Sequence, residues 1–211
     1  MERKPGARDK GGFSLVEMLV VLTIMGILSA LTVSSIASLR STALSSAGNQ
    51  LVDVFAMARQ NSISKNCFTA VIIRTQGTGA CAAYSLVQSS RDETTGVFGA
   101  WTEVTPWRYL PNGIVFENSS TNGDTFMTVA TALPGTLPTS ANLQGAQIAF
   151  GTAGNVVQCY QPDGTLVGGQ ALKLRLIEGT SDNSGNIVSV GSNYYDLYFI
   201  ANTGTTKIGR L

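Results

Sequence analysis

Gly12-Phe13-Ser14-Leu15-Val16-Glu17-Met18-Leu19 opens the stretch on which the reading of this chain turns. A polar leader, Met1 to Gly12, precedes Phe13. It carries Arg3, Lys4, Arg8 and Lys10 against Glu2 and Asp9, a local balance of +2. From Met18 to Leu39 run 22 residues without a charge. At about 1.5 Å per residue they span roughly 33 Å, one bilayer core. Five Leu, three Val and three Ile lie in the run. At roughly −0.5 kcal/mol each they favour insertion by about 5 kcal/mol. After the run, Arg40 is the sole basic residue until Arg59. The positive-inside rule therefore puts the N-terminus in the cytoplasm and the bulk of the chain across the membrane. A secretory signal peptide has a shorter apolar region, about 7–15 residues, with a small-residue cleavage site at its end.

Glu17 fits neither a signal peptide nor a plain anchor. An ionised carboxylate at the centre of a membrane helix costs about 2.5–3.5 kcal/mol, and less near an end. It needs a partner, and no Lys or Arg lies within a helical turn on its C-terminal side. A cut after Gly12 would create an ammonium at Phe13, four positions away, in the same chain or a neighbour. A carboxylate in the first turn also suits the helix dipole.

The segment Lys10-Gly11-Gly12-Phe13-Ser14-Leu15-Val16-Glu17 resembles the processing site of type IV pilins and type II secretion pseudopilins. The resemblance implies cleavage by a prepilin peptidase after Gly12, N-methylation of Phe13, and Glu17 as the carboxylate that guides subunit assembly. The helix-kinking Pro that many major pilins carry in the apolar segment is absent; Gly26, Ser29, Thr32, Ser34 and Ser35 offer other places to loosen the helix.

No Pro interrupts Phe13 to Lys65, and Leu44, Leu51, Phe55 and Ala58 share one helical face while Asn49, Asp53 and Gln60 take another. This predicts one helix of about 50 residues, roughly 75–80 Å long, with a bend near Ala47-Gly48-Asn49 as the alternative. The segment Ala56 to Asn66, followed by Cys67 to Ile73, is similar to the Ala-Arg-x-x-Ala-Ile helix end of the H-type pseudopilin and FimT-like minor pilin family, with Ser62 at the second Ala.

Beyond the helix the expected strands are Cys67–Thr75, Ala80–Gln88, Val97–Val104, Trp107–Leu110, Ile114–Glu117, Phe126–Ala130, Ala146–Phe150, Asn155–Tyr160, Ala171–Ile177, Ile187–Val190 and Tyr194–Ile200. Lys173 and Arg175 alternate with Leu172, Leu174 and Leu176, the pattern of a strand with a charged outward face. Thr131–Gln144 reads as a long exposed loop. Trp101, Trp107 and Tyr109 read as β-sheet core. The expected fold is α+β and pilin-like: a long N-terminal helix, transmembrane in its first half, packed on an antiparallel β domain of two small sheets. The division is leader 1–12, membrane and filament-core helix 13–39, amphipathic continuation 40–66, and an extracytoplasmic β-rich domain 67–211.

The 211 residues include no His, which removes Ser-His and Cys-His catalysis and His-ligated metal sites. Lys and Arg total 14 against 13 Asp and Glu, too even for a general polyanion surface. No cofactor, metal or catalytic residue is expected. The acidic turns Asn122-Gly123-Asp124 and Asp182-Asn183-Ser184 lack the spacing of a calcium loop. Cys67, Cys81 and Cys159 allow one disulfide. A tight turn at Gln76–Gly79 would set Cys81 opposite Arg74, which disfavours Cys67–Cys81. A bridge to Cys159 and three free thiols both stay open.

Lys207-Ile208-Gly209-Arg210 is similar to part of the Gly-Arg-x-Arg segment through which some FimT-like minor pilins bind DNA, but no second Arg follows. Lys207 and Arg210 together would make only a weak, salt-sensitive DNA contact, and nucleic acid is not the expected partner. The resemblance implies other pilin or pseudopilin subunits, prepilin peptidase, an inner-membrane assembly platform and the lipid bilayer as partners. It implies a bacterial inner-membrane, single-pass placement followed by the filament of a type IV pilus or type II secretion pseudopilus. The rival readings are a single-span anchor for a periplasmic ligand-binding domain, and a DNA-uptake minor pilin.

Overall fold

The computed structural model describes residues 14–92, 94–118, 126–127, 133, 138–150, 155–200 and 202–209; the side chains of residues 31–38 and 90 lie outside the described set. The chain divides into two units, Met1–Leu39 and Arg40–Leu211. Helix α1 runs Leu15–Ser64, 50 residues.

Its start and stop are both written in side chains. Ser14 is the N-cap: its Oγ accepts from the Val16 N–H at 3.3 Å, and its carbonyl accepts from the Met18 N–H at 3.2 Å. At the far end Asn66 takes a left-handed φ of 47°. The Asn66 N–H then donates to the Ile63 carbonyl at 3.4 Å and the Cys67 N–H to the Ser62 carbonyl at 3.1 Å. That is a Schellman stop with Asn in the usual Gly position. The alternative bend near Gly48 does not form. Gly48 is there for contact: a Cβ on it would overlap the ring of Tyr195, whose hydroxyl donates to Asn49 Oδ1 at 3.0 Å.

In the second unit the helix lays Leu44, Ala47, Leu51, Val54, Phe55 and Ala58 on the β structure, all buried. Asn49, Asp53 and Gln60 are exposed, as the spacing predicts. The strands are β1 (Phe68–Arg74), β2 (Ala83–Arg91), β3 (Phe98–Tyr109), β4 (Ile114–Phe116), β5 (Ser140–Leu143), β6 (Ala146–Ala149), β7 (Asn155–Tyr160), β8 (Leu172–Ser181), β9 (Ile187–Ile200) and β10 (Thr205–Gly209). They form a six-stranded sheet in the order β6-β5-β3-β2-β1-β7 and a four-stranded sheet in the order β10-β9-β8-β4.

One core joins α1 to both sheets, with Phe55 set edge-on to Phe126 and Phe199 at ring separations of 5.7 and 4.6 Å. A second cluster, including Ile72, Val87, Trp101, Leu143 and Val157, lies on the other face of the six-stranded sheet. Strand β1 is therefore covered on both faces, which is why Ala70–Ile73 reads as a continuous apolar run.

Four expectations are corrected. Val97–Val104 and Trp107–Leu110 are one strand, β3, because Pro106 falls at a register shift between the Leu86–Thr105 and Tyr84–Arg108 pairs. There the Ser85 hydroxyl donates to the Thr105 carbonyl at 2.7 Å and Thr105 Oγ1 accepts from the Leu86 N–H at 3.1 Å. Ile187–Val190 and Tyr194–Ile200 are likewise one strand, β9, bulged opposite Glu178. The loop expected at Thr131–Gln144 contains β5, which buries Ala141 and Leu143. It pairs with β3 in parallel at Trp101–Ala141, so the β domain is not wholly antiparallel. Strand β2 begins at Ala83 rather than Ala80, since Gly77, Gly79 and Cys81 all take positive φ and lengthen the connection. Of the expected strand Phe126–Ala130, residues 128–130 lie outside the described residues, and Phe126 and Met127 form a turn.

Two turns differ in how they are held. The β2–β3 turn is closed on itself: Asp92 Oδ1 accepts from the N–H groups of Thr94 and Thr95 at 2.8 and 3.0 Å. The β8–β9 turn is stitched to the β1–β2 connection and to Asn118, which follows β4. The Gly77 N–H donates to the Asn183 carbonyl at 2.6 Å, Asn118 Nδ2 to the Gly185 carbonyl at 2.7 Å, and the Ser181 hydroxyl to the Ala80 carbonyl.

Candidate functional site

Among its described residues the first unit presents an apolar surface with one charge. Glu17 occupies the first turn of α1, three residues after the Ser14 cap, in capping-box spacing. There its negative charge faces the positive end of the helix dipole. Around it Leu15, Val16, Met18, Leu19, Val20 and Val21 are all exposed, and so are Leu22, Ile24, Met25, Ile27 and Leu28 on the next two turns. These positions cover every side of the helix, so the surface is not one stripe for one core; it suits surroundings that are apolar all round. Two hydroxyls among the described residues are satisfied within the helix. Thr23 donates to the Val20 carbonyl and Ser29 to the Met25 carbonyl, each at 2.8 Å. Such back-bonding lets hydroxyl groups sit in an apolar medium without an orphan donor. Among the described residues no helix is long and apolar enough to cross a membrane. The expected span Met18–Leu39 includes residues 31–38, whose side chains are outside the described set, and Gly12, Phe13 and the leader are outside it altogether.

The other sequence-predicted residues are scattered. Cys67, Cys81 and Cys159 are buried free thiols, so the bridge to Cys159 does not form. Register explains this. Cys159 pairs with Ala70 and shares its face of the sheet, whereas the Cys67 sulfur lies 3.6 Å from Thr69 Oγ1, on the opposite face. Burial pushes the Cys81 thiol up to about 11, with the Asp182 charge adding to it. Burial also raises Cys159, with Cys67 contributing. Lys207 is exposed on β10; Arg210 lies outside the described residues. The Asp182 turn is saturated by the backbone N–H groups of Ser184 and Asn186; Asn122-Gly123-Asp124 lies outside the described residues. Trp101 is core, Trp107 stacks under the Arg74 guanidinium at 4.2 Å, and Tyr109 is exposed, against the expectation that all three are core.

Sequence reasoning missed a buried ion network on the outward face of β8 and β9. Arg175 meets Asp196 through two bonds of 2.6 and 2.8 Å. Lys173 reaches Asp196 at 3.3 Å and Glu117 stands 3.8 Å from Arg175. The Tyr194 ring lies 3.9 Å from the guanidinium. Burial alone would raise the Asp196 carboxyl, but the Arg175 bonds and the Arg175 and Lys173 charges outweigh it and hold it below the usual value. The alternation of Leu and basic residues showed the face; the acid opposite could be found only by pairing β8 with β9. A second missed residue is Arg59, whose Nε donates to the Thr203 carbonyl at 2.7 Å and ties the β9–β10 turn to the end of α1.

The family model for the prokaryotic N-terminal methylation motif matches residues 7–33. The N-terminus of the chain therefore carries a prokaryotic N-terminal methylation motif. No curated protein matches the chain in sequence. Among solved structures it is similar to the type IV minor pilin FimU of Pseudomonas aeruginosa, at 13% identity and a TM-score of 0.41, over 79% of this chain and 87% of that one. A second crystal form of FimU gives 12% identity and 0.42, over 79% and 92%. The minor pseudopilin EpsH of the Vibrio cholerae Type 2 Secretion System gives 9% identity and 0.41, over 79% and 96%.

Proposed function

We propose that this chain is a minor subunit of a type IV pilus or a type II secretion pseudopilus, and that its role is structural rather than catalytic. Prepilin peptidase cuts between Gly12 and Phe13, and the new Phe13 amine is methylated. Residues 13–39 hold the subunit in the inner membrane, with residues 40–66 and the β domain 67–211 on the periplasmic side. The same apolar helix then leaves lipid for the core of the filament. Glu17 makes that transfer selective, because its carboxylate meets the terminal amine of a neighbouring subunit at the moment of insertion. Removing the +2 leader from the +1 chain leaves 199 residues with a net side-chain charge of −1.

One observation carries the reading: apolar side chains are exposed on all sides of α1 from Leu15 to Leu28, and Glu17 is the sole charge among them. A helix apolar all round belongs in lipid or among other helices, and a single acid at its capped end is out of place there without a cation.

The test is intact-mass analysis of the chain expressed with and without prepilin peptidase. The expected product begins at a singly methylated Phe13 only when the peptidase is present. A chain that keeps Met1 in the presence of an active peptidase would point to a plain membrane anchor.

A further inference from the structure

The four-stranded sheet ends at β10, and among the described residues no strand pairs with that strand's outer edge. The edge borders a cleft of about 490 Å³ between β10 and the C-terminal part of α1. Val52, Ala56 and Ile63 form its apolar wall; Arg59 and Thr206 are its polar rim.

Register shows what the cleft lacks. Thr206 pairs with Phe199 and Ile208 with Leu197. Paired residues share a face, and Phe199 and Leu197 are in the core with Leu51 and Phe55. Ile208 therefore points to the core side of the sheet, yet it is 50% exposed, and Ile63 is 46% exposed. Two large apolar side chains face a lane in which the sheet has no strand. Adjacent strands lie about 4.8 Å apart, so one more strand beside β10 would set alternate side chains against Val52, Ala56, Ile63 and Ile208. Thr205–Gly209 has no proline, bulge or inward-pointing charge; its protections are its short length and the outward charge of Lys207.

We propose that the outer edge of β10 receives an extended strand from a different protein chain, with apolar residues on its inner face and an acidic residue opposite Lys207. Charge selects this occupant. Lys207 is exposed in the middle of the five-residue strand. A second copy pairing antiparallel about the strand centre would set Lys207 against Lys207, and like charges directly opposite are destabilising. A carboxylate there gains a cross-strand pair. Main-chain hydrogen bonds supply affinity and the cleft supplies side-chain selectivity, as in strand addition generally. The inference stands apart from cleavage at Gly12.

The test uses the full chain in detergent micelles and a short peptide of alternating valine and threonine with a central glutamate. Binding is read by fluorescence anisotropy and by slowed amide hydrogen exchange at residues 205–209. Ile208→Asp, at a half-exposed position, should keep the wild-type melting curve and weaken binding at least about tenfold. Lys207→Glu should reverse the preference, so that a lysine-centred peptide binds better than the glutamate-centred one. Failure of the wild-type chain to bind at millimolar peptide overturns the proposal, as does binding unchanged by Ile208→Asp. A wild-type dimer abolished by Ile208→Asp overturns the choice of occupant.

Discussion

Gly48→Ala sets helix propensity against packing. In an exposed helix this change stabilises by about 1 kcal/mol, since Ala is the better helix former. Here the added methyl would overlap Cε1, Cζ and Cδ1 of Tyr195. That ring is 2% exposed and enclosed by the core. Forcing an extra carbon into a filled core costs about 1–3 kcal/mol. Displacing the ring also strains the Tyr195–Asn49 hydrogen bond of 3.0 Å, worth about 1 kcal/mol. Packing outweighs propensity, and the net loss is about 2 kcal/mol. For a chain of this size that lowers the melting temperature by about 4–8 °C. The assay is thermal unfolding of the full chain in micelles by circular dichroism, run as a double-mutant cycle with Tyr195→Leu. In the Tyr195→Leu background, Gly48→Ala should become neutral or stabilising. A rise in melting temperature for Gly48→Ala in the wild-type background would refute the close contact.

Glu17→Ala should leave folding and leader cleavage intact but lower incorporation into fibres at least about tenfold, scored by immunoblot of sheared filaments; equal incorporation contradicts the assigned role. Asp196→Ala leaves Arg175 and Lys173 without their shared acid and should cost about 3 kcal/mol by denaturant titration. Because the Asp196 carboxyl is held below its usual value, its stabilisation is complete above about pH 4 and fades as the pH falls through the lowered value. The variant's stability should therefore depend less on pH in that acid range than the wild type's. The three buried thiols should resist maleimide at neutral pH in the folded chain and all react once it is unfolded; a mass two hydrogens short, showing an oxidised pair, would contradict the opposite-face placement of Cys67 and Cys159.

The long helix was legible because two signals agreed: no proline across its length, and Leu44, Leu51, Phe55 and Ala58 at helical spacing. Strand β7 was legible to the residue, since Val156, Val157, Cys159 and Tyr160 give it strand character and Pro162-Asp163-Gly164 follows it as turn chemistry. Strand β5 was not: Ser140-Ala141-Asn142-Leu143 has poor strand propensity, and what holds it is burial of Ala141 and Leu143 in a cluster formed elsewhere. Pro106 and the β9 bulge opposite Glu178 broke patterns that the folded sheets tolerate at register shifts. The N-terminal methylation motif could be read because its residues are contiguous. The ion network could not, since Lys173 and Arg175 meet Asp196 only through the β8–β9 register. The cysteine question had the same root: which face each sulfur takes depends on the register between β1 and β7.

The β2–β3 and β8–β9 turns have opposite uses for anyone who needs to watch this chain. A reporter inserted at Asp182–Asn186 would cut the Gly77 bond to the β1–β2 connection and the Asn118 bond that holds the turn from beyond β4. The Asp92–Val97 turn keeps its bonds to itself, so a fluorophore or epitope tag attached there should ride on the surface without loosening either sheet.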